Sequence, residues 1–331
     1  MFLQIYTIAD LQPLLQKKLS KLRVGYLYME TKTTVNKPVI SSKLQNPAFA
    51  WGLMALLAVI WGSSFILVKK SLDVFDASQV GSLRIVAAFC FFLPFFLVNI
   101  KKIPLQKAHL FLLVGCLGNL FPAYLFSLAG SKLDSGVSGA LNSTTPLFTL
   151  IVGGLFFGNI ITKQQVFGII LGFVGALLLI LAGAKGMQFN NYAFYVIAAT
   201  VLYGFNLNIT KKYLTGLDLS PFLITAFIFM TIGPVAIVVL FSGDFMDKVT
   251  LPEAQIPLIY SVLLGVLGSA VAMVLFNKLI QVTSAVLASS VTYLIPIVAI
   301  LWGILDGETI QIQHFVGMGI ILVGVYLVNK S

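Results

Sequence analysis

The sequence predicts an all-α integral membrane protein of ten transmembrane helices, arranged as two inverted five-helix repeats. Three observations predict this fold: ten apolar stretches of bilayer length, a composition with 59% hydrophobic and 10% charged residues, and matching motifs in the two halves of the 331 residues. A run of about 18 or more mostly apolar residues forms a transmembrane helix, because backbone in lipid must satisfy its own hydrogen bonds. Soluble domains contain about 25% charged residues.

The predicted spans follow one another with short connections, which leave no room for a soluble domain between them. Their ranges are 48–68, 78–100, 108–128, 134–157, 165–183, 191–210, 219–241, 256–277, 283–305 and 314–328. We assign 47–184 to the first repeat and 185–331 to the second. Residues 1–46 are expected to form a basic cytoplasmic tail, which is either disordered or, over residues 1–28, upstream of a true start at Met29.

Lysine and arginine counts predict that both termini lie in the cytoplasm. An even number of spans puts both ends on one side, and that side carries fifteen Lys or Arg residues against five on the other. Positively charged residues concentrate in cytoplasmic loops. Seven of the fifteen lie in the tail, where we expect them to meet anionic lipid headgroups and not nucleic acid. The predicted location is the inner (cytoplasmic) membrane, crossed many times.

The two halves share motifs in the same order at a nearly constant offset of 142 to 150 positions. The matched pairs are Trp61-Gly62 with Tyr203-Gly204, Lys69-Lys70 with Lys211-Lys212, Gly115 and Gly118 with Gly265 and Gly268, Pro146 with Pro296, and Gly168 and Gly175 with Gly317 and Gly324. Because five helices is an odd number, the second copy must be inverted relative to the first. Inverted repeats are typical of secondary transporters, whose substrate site lies near the membrane midplane.

Residues 48–329 resemble the EamA family of the drug/metabolite transporter superfamily. The resemblance is carried by Thr283-Ser284-Ala285-Val286, by Pro296, by Leu305-Asp306-Gly307-Glu308 and by the following helix with Gly317 and Gly324. The first half departs from the family pattern, because Gly158-Asn159 stands where Gly-Glu is usual. The resemblance implies a transporter of small metabolites, often working outward.

Polar residues inside the spans mark the predicted substrate path, because polar groups are costly in lipid. Proline removes the hydrogen bond to the carbonyl four residues back, so Pro146 and Pro296 are predicted to kink their helices and leave two carbonyls bare. The candidate substrate-binding residues are Trp61, Ser64, Asn119, Tyr124, Asn142, Thr145, Tyr203, Asn206, Ser269, Ser289, Thr292 and Tyr293. Ordinary helix packing is the alternative for each, since hydroxyls also bond to their own backbone in membranes.

Charge inside the spans limits the substrate and the energy source. No Asp or Glu lies deep in a predicted span, whereas proton-driven pumps and cation exporters need such a residue. A neutral or zwitterionic substrate of amino acid or nucleobase type therefore fits best, with passive or weakly coupled export. Arg84 is the only charge well inside a span. We interpret it first as a residue that snorkels or bonds to backbone carbonyls, and second as a ligand for a carboxylate or phosphate.

Two other classes of function stay open. Gly136-Val137-Ser138-Gly139 matches the nucleophile motif of rhomboid proteases, which would make the chain an intramembrane serine protease using Ser138. A serine nucleophile needs a positioned His base, and we expect both candidates, His109 and His314, to lie away from Ser138. The remaining class is a non-transporting membrane receptor or assembly protein.

The expected partners are a small-molecule substrate and membrane lipid, without nucleic acid. Glycines at 154 and 158, and at 168 and 172, permit close helix approach, either within the chain or in a homodimer. We expect no cofactor and no metal site, since the sequence contains no Walker A loop and no Cys/His cluster. Catalytic residues are not expected in a transporter of this kind.

Overall fold

The structure is a bundle of membrane-length helices. The computed structural model describes residues 47–102, 104–183, 186–187, 190–214, 217–282 and 291–330. Within these ranges the longer helices are α1 (Pro47–Ser71), α2 (Ala77–Val98), α3 (Ala108–Gly115, a π segment Cys116–Leu120, and Phe121–Gly130), α4a (Ser135–Asn142), α4b (Thr145–Phe157), α5 (Lys163–Leu181), α6 (Ala193–Ile209 with a π segment Thr210–Leu214), α7 (Pro221–Phe241), α8 (Gln255–Gly265, a π segment Val266–Val271, and Ala272–Val282), α9 (Val291–Leu305) and α10 (Ile312–Lys330).

The connections contain only small elements. They are 3-10 turns at Ile100–Lys102, Leu105–Lys107 and Pro252–Ala254, a short helix at Phe245–Val249, and two-residue strands Ala182–Gly183 and Gly186–Met187 that pair antiparallel. By length and composition, eight helical stretches among the described residues can cross a membrane. The helices α9 and α10 are apolar but shorter. The chain is therefore a multi-pass helical membrane protein, as the hydropathy pattern predicts.

Local sequence sets several helix ends. The helix α7 begins with Pro221, and the Oγ of Ser220 accepts a hydrogen bond from the Leu223 N–H at 3.3 Å. Proline at a first helical position has a fixed φ and lacks an N–H that would have no partner there. Gly158 and Gly307 have φ angles of 74° and 78°, in the left-handed region that glycine enters without a steric cost. They terminate α4b and the turn after α9.

Glycines let the backbones of α5 and α10 approach closely. A Cβ at Gly168 would lie 2.6 Å from the carbonyl oxygen of Gly324, and a Cβ at Gly175 would lie 2.6 Å from that of Gly317. The relation is reciprocal, because a Cβ at Gly324 would also lie 2.6 Å from the Gly168 oxygen. Small residues let membrane helices approach this closely. The glycine motifs of these helices are thus covered within the chain.

This contact generates a matched prediction within α10. Gly324→Ala should lower the Tm of detergent-purified protein, because overpacking costs about 1–3 kcal/mol. Gly319→Ala should leave the Tm unchanged or raise it, because nothing lies within 4 Å of a Cβ at Gly319 and alanine is the better helix former. Equal shifts for the two variants would contradict the packing described for α5 and α10.

Candidate functional site

Polar side chains of neighbouring helices meet the π segments of α3 and α8, and π-helical turns are frequent at functional sites. The carbonyl of Gly268 accepts a hydrogen bond from Trp61 Nε1 at 3.1 Å. A Cβ at Gly268 would lie 2.8 Å from Ser64 Oγ, and a Cβ at Gly118 would collide with the Asn206 side chain. Glycine therefore permits both close approaches. Trp61 also packs edge-on against Phe276, with ring centroids 5.2 Å apart.

Arg84 brings a positive charge to the π segment of α8. Its Nε donates to Ser269 Oγ at 2.7 Å, and Tyr203 is close enough to interact with it electrostatically. Among the described residues Arg84 makes no other hydrogen bond and no ion pair. Its partner is thus a hydroxyl, where the first interpretation from the sequence expects backbone carbonyls. Tyr203 in turn stacks on Phe126 at 6.1 Å.

The carbonyls that the two prolines release are both hydrogen-bonded, although the sequence predicts them to be bare. The fourth span is broken into α4a and α4b just before Pro146. Thr145 Oγ1 donates to the carbonyl of Asn142 at 2.7 Å, and Ser143 Oγ donates to the carbonyl of Thr292 at 3.0 Å. An unpaired carbonyl in a low-dielectric region is costly, so a nearby hydroxyl takes the place of the lost N–H.

The other candidate residues fall into separate groups. Trp61, Ser64 and Ser269 surround the π segment of α8, and the hydrogen bonds above join the ends of α4a and α4b to α9. Tyr124 faces α2 instead, where its hydroxyl lies 3.0 Å from Ser82 Oγ. Half-buried candidates are Trp61, Asn119, Tyr124, Asn142, Tyr203, Thr292 and Tyr293, and buried ones are Ser64, Thr145, Asn206 and Ser269. Ser289 lies outside the described residues.

Asn206 is the candidate with an unused polar atom. Its side chain is buried, and its Oδ1 has no hydrogen-bond partner among the described residues. Buried polar atoms in proteins are nearly always paired, so an unpaired one indicates a place for water or a ligand. Tyr124 lines a different recess, of about 270 Å³, together with Ser78, Leu128 and Val239.

A buried carboxylate ties three parts of the chain together at one end of the bundle. Glu308 follows α9, and its side chain is only 1% exposed. Its Oε1 accepts from Lys69 Nζ at 2.8 Å, from Ser135 N–H at 2.9 Å and from Ser135 Oγ at 2.8 Å. Its Oε2 accepts from the Gly136 N–H at 3.3 Å. A carboxylate at a helix N-terminus satisfies free N–H groups and complements the helix dipole.

Asp306 completes this cluster, which we name the ionic closure and define as Lys69, Lys70, Ser135, Asp306 and Glu308. Lys69 Nζ lies 2.9 Å from Asp306 Oδ2, and Lys70 forms an ion pair with the other carboxylate oxygen. The closure joins the end of α1, the start of α4a and the α9–α10 connection. This role of Glu308 is not among the predictions made from the sequence. The sequence does contain a signal for this ion-pair cluster. Two basic residues, Lys69-Lys70, end one helix, and two acidic residues, Asp306 and Glu308, follow the end of another.

The opposite end of the bundle, where α4b and α6 end, has no comparable ion pair among the described residues. Lys212 Nζ lies 5.6 Å from the centroid of the Phe157 ring. Asn159 Nδ2 donates to Asn208 Oδ1 at 3.5 Å, and Asn208 Nδ2 donates to the carbonyl of Thr149 at 2.9 Å. Cation–π and amide contacts hold this end, where ion pairs hold the other.

Ser138 makes no hydrogen bond to a histidine. Its Oγ is buried and has no partner among the described residues. His109 is exposed. His314, which the sequence leads us to expect away from Ser138, lines a pocket of about 10 Å³ with Asp134 and Gly136 at the same end of α4a. No hydrogen bond joins Ser138 Oγ to this imidazole, so the two form no nucleophile–base pair in the described structure.

Asp306 and Asp134, which both lie at the end of the bundle that carries the ionic closure, are predicted to affect stability in opposite directions at neutral pH. Hydrogen bonds from Lys69 and Lys70 hold the pKa of Asp306 below its usual value. Its contribution to stability is therefore present above an unfolded pKa of about 3.9 and is lost as the pH falls through the lower folded pKa. Burial, reinforced by Glu308, raises the pKa of Asp134, so its ionised form costs stability at neutral pH.

Thermal melts between acidic and neutral pH test these signs. Asp306→Asn should lower the Tm at neutral pH, with a difference from the parent protein that shrinks toward low pH. Asp134→Asn should raise the Tm at neutral pH, because the side chain of Asp134 makes no capping hydrogen bond to α4a and the buried charge is removed. Shifts of the same sign in both variants would contradict the described geometry.

Comparison with known proteins agrees with this architecture. The chain is 26% identical over 288 residues to YedA, an uncharacterized inner membrane transporter of Escherichia coli, covering 84% of this chain and 90% of YedA. It is 24% identical over 288 residues to a "Probable terminal-alkyne amino-acid exporter" of Streptantibioticus cattleyicolor, covering 85% and 93%. An uncharacterized transporter of Archaeoglobus fulgidus is 24% identical over 289 residues, covering 85% and 99%.

A solved crystal structure with 13% sequence identity shares the fold alone. It superposes with a TM-score of 0.58 and covers 83% of this chain and 94% of its own. The EamA-like transporter family matches the chain twice, over residues 49–181 and again over 190–330. These two matches span most of the chain and include every helix described above. The chain therefore belongs to the EamA-like transporter family.

Proposed function

We propose that this protein is a secondary transporter that exports a small neutral or zwitterionic metabolite across the cytoplasmic membrane by alternating access. The observation that carries the proposal is the polar region at the π segments of α3 and α8, inside a bundle whose buried residues are mostly apolar. Amino acids are the favoured substrates, because one relative of similar length is named as an amino-acid exporter. Nucleobases are the second favoured class of substrate, because no Asp or Glu lies deep in a predicted span.

Two inverted repeats are the architecture we infer for this mechanism. The family matches the chain in two consecutive segments, and several helix contacts recur when the halves are exchanged. In the first pair of equivalent contacts, α1 packs against α9 and α6 packs against α4b. In the second pair, α1 packs against α8 and α6 packs against α3. The Ser64–Gly268 and Asn206–Gly118 approaches are likewise a matched pair. Rocking of such halves about a central site alternates access from the two sides.

The ionic closure supplies the gate in this proposal. If both termini are cytoplasmic, the closure lies at the outer end, where it fastens α1 to α4a and to the α9–α10 connection. Opening outward then requires Glu308 to leave Lys69 and the N-terminus of α4a. In this proposal the described conformation is the one closed to the outside.

Cysteine labelling tests the site and the gate together. With Cys90 and Cys116 replaced, Asn206→Cys and Asn142→Cys should react with small water-soluble thiol reagents added from the cytoplasmic side. Reaction from the outside should be slow and should rise severalfold when Glu308→Gln removes the charge that holds Lys69. Leu177, which is 53% exposed on α5, provides the lipid-facing control. Reaction of Leu177→Cys while the two site positions stay inert would refute the central site.

Reporter fusions test the proposed orientation. A reporter fused after Ser331 should report the cytoplasm, and one inserted in the loop from Asp244 to Glu253 should report the outside. This loop carries Lys248, which forms ion pairs with Asp76 at 2.6 Å and Asp244 at 3.2 Å. Insertion after Thr250 leaves these pairs in place. Two reporters on the same side would reject the assignment of the ionic closure to the outer end.

A further inference from the structure

We propose that Arg84 binds the carboxylate group of the transported molecule, so that the substrates are small monocarboxylates, amino acids among them, and not neutral nucleobases. The inference rests on the proposed function, since it concerns the same polar region. It keeps the amino acids, removes the neutral nucleobases and adds anionic monocarboxylates to the substrate class. It reverses the order of the two interpretations that the sequence offers for Arg84.

The charge of Arg84 is not compensated within the described chain. All acidic residues beyond the tail lie at helix ends or in connections: Asp73, Asp76, Asp134, Asp218, Asp244, Asp247, Glu253, Asp306 and Glu308. Arg84 lies within α2, about 10 Å along the helix axis from Ala77. A charge that is partly withdrawn from water and has no partner loses hydration and gains no ion pair in return. A ligand that brings a carboxylate restores that balance.

The guanidinium has donors to offer. Arginine carries five N–H groups in a planar fork, and Arg84 uses only the Nε–H, toward Ser269. Arg84 is half-buried, and neither Nη atom is among the fully buried polar atoms without a partner. A structural arginine would satisfy these donors within the protein. Two parallel N–H groups from the Nη pair match the two oxygens of a carboxylate.

The surroundings suit the rest of an amino acid or similar acid. Tyr203 and Asn206 lie three residues apart on α6 and so share one face. The Tyr203 ring, backed by Phe126, offers an apolar surface. The unpaired Oδ1 of Asn206 is an acceptor that fits an amino or hydroxyl group. Arg84 thus offers donors for the carboxylate, and Asn206 offers an acceptor for a neighbouring group.

The second half of the chain offers no matching cation. Gly265 packs against the carbonyl of Arg84, and the equivalent Gly115 packs against the carbonyl of Ile228. The sequence offset instead pairs Arg84 with Ala226, which is also apolar. One positive charge calls for one negative charge, which favours a monocarboxylate over a phosphate dianion. The polar region is therefore asymmetric even where the helix packing is symmetric.

Matched ligand pairs test the proposal by thermal shift on the purified full-length protein. The probes are acetate, benzoate and the proteinogenic amino acids, each against its amide at equal ionic strength, with uracil and adenine as neutral probes. At least one carboxylate should raise the Tm by about 2–4 °C near ten times its Kd, and its amide should not. Arg84→Gln should weaken binding of that carboxylate about 30-fold or more, and Arg84→Lys should weaken it less.

The apoprotein and a control variant separate binding from folding. Arg84→Gln should melt at the same temperature as the parent or higher, because an uncompensated charge is removed. Lys107→Gln, a change of an exposed lysine, should keep the full ligand shift. A carboxylate shift that survives in Arg84→Gln, a panel in which no carboxylate acts, or a large drop in the Tm of the Arg84→Gln apoprotein would each overturn the proposal.

The proposed function can survive that failure. If uracil or adenine raises the Tm and protects Asn206→Cys from thiol reagents, the central site stands and the carboxylate assignment is wrong. If Asn206→Cys is inert from both sides and no probe raises the Tm, the transport site itself is misplaced and both proposals fail.

Discussion

A carbonyl oxygen inside a membrane bundle cannot accept a hydrogen bond from bulk water, so it needs a donor within the protein. This constraint organises the centre of the structure. Pro146 and Pro296 each release one carbonyl, and a hydroxyl captures each of them. The two captures differ in reach. Thr145 bonds within its own turn, whereas Ser143 reaches the carbonyl of Thr292 in the other half. The break between α4a and α4b thus also supplies a hydrogen bond between the two segments of the chain that match the family.

Charged side chains are subject to the same constraint, and most of those beyond the tail lie at helix ends or in connections. Glu308 is nearly inaccessible, yet it accepts four hydrogen bonds, so its desolvation is compensated. Arg84 is the exception inside a helix, with one hydrogen bond for five donors. A chain that satisfies its broken backbone and its buried carboxylate with side chains leaves one guanidinium without a counter-charge. That contrast is why we read Arg84 as a ligand-binding residue and not as a packing residue.

Much of the fold follows from one-dimensional patterns, and much of the site does not. Hydropathy, the spaced glycines of α5 and α10, and the prolines are local signals, and they predict helices and close contacts. The Ser143–Thr292 and Ser135–Glu308 bonds join residues 149 and 173 positions apart. No local pattern pairs these residues. Proline chemistry correctly identifies which carbonyls lose their N–H, but it cannot say which hydroxyl will replace it, because that depends on how the helices pack.

The departure at Asn159 gains a physical meaning from the two ends of the bundle. Glu308 occupies the equivalent position and binds Lys69 in a nearly inaccessible place, while Asn159 makes one long amide contact. Similarly, Lys70 pairs with Asp306, whereas Lys212 lies over the ring of Phe157. Breaking a buried charge pair costs about 3–5 kcal/mol, and an exposed cation–π contact contributes only about 0.5–1 kcal/mol. The two ends of the bundle are thus held by contacts of unequal strength.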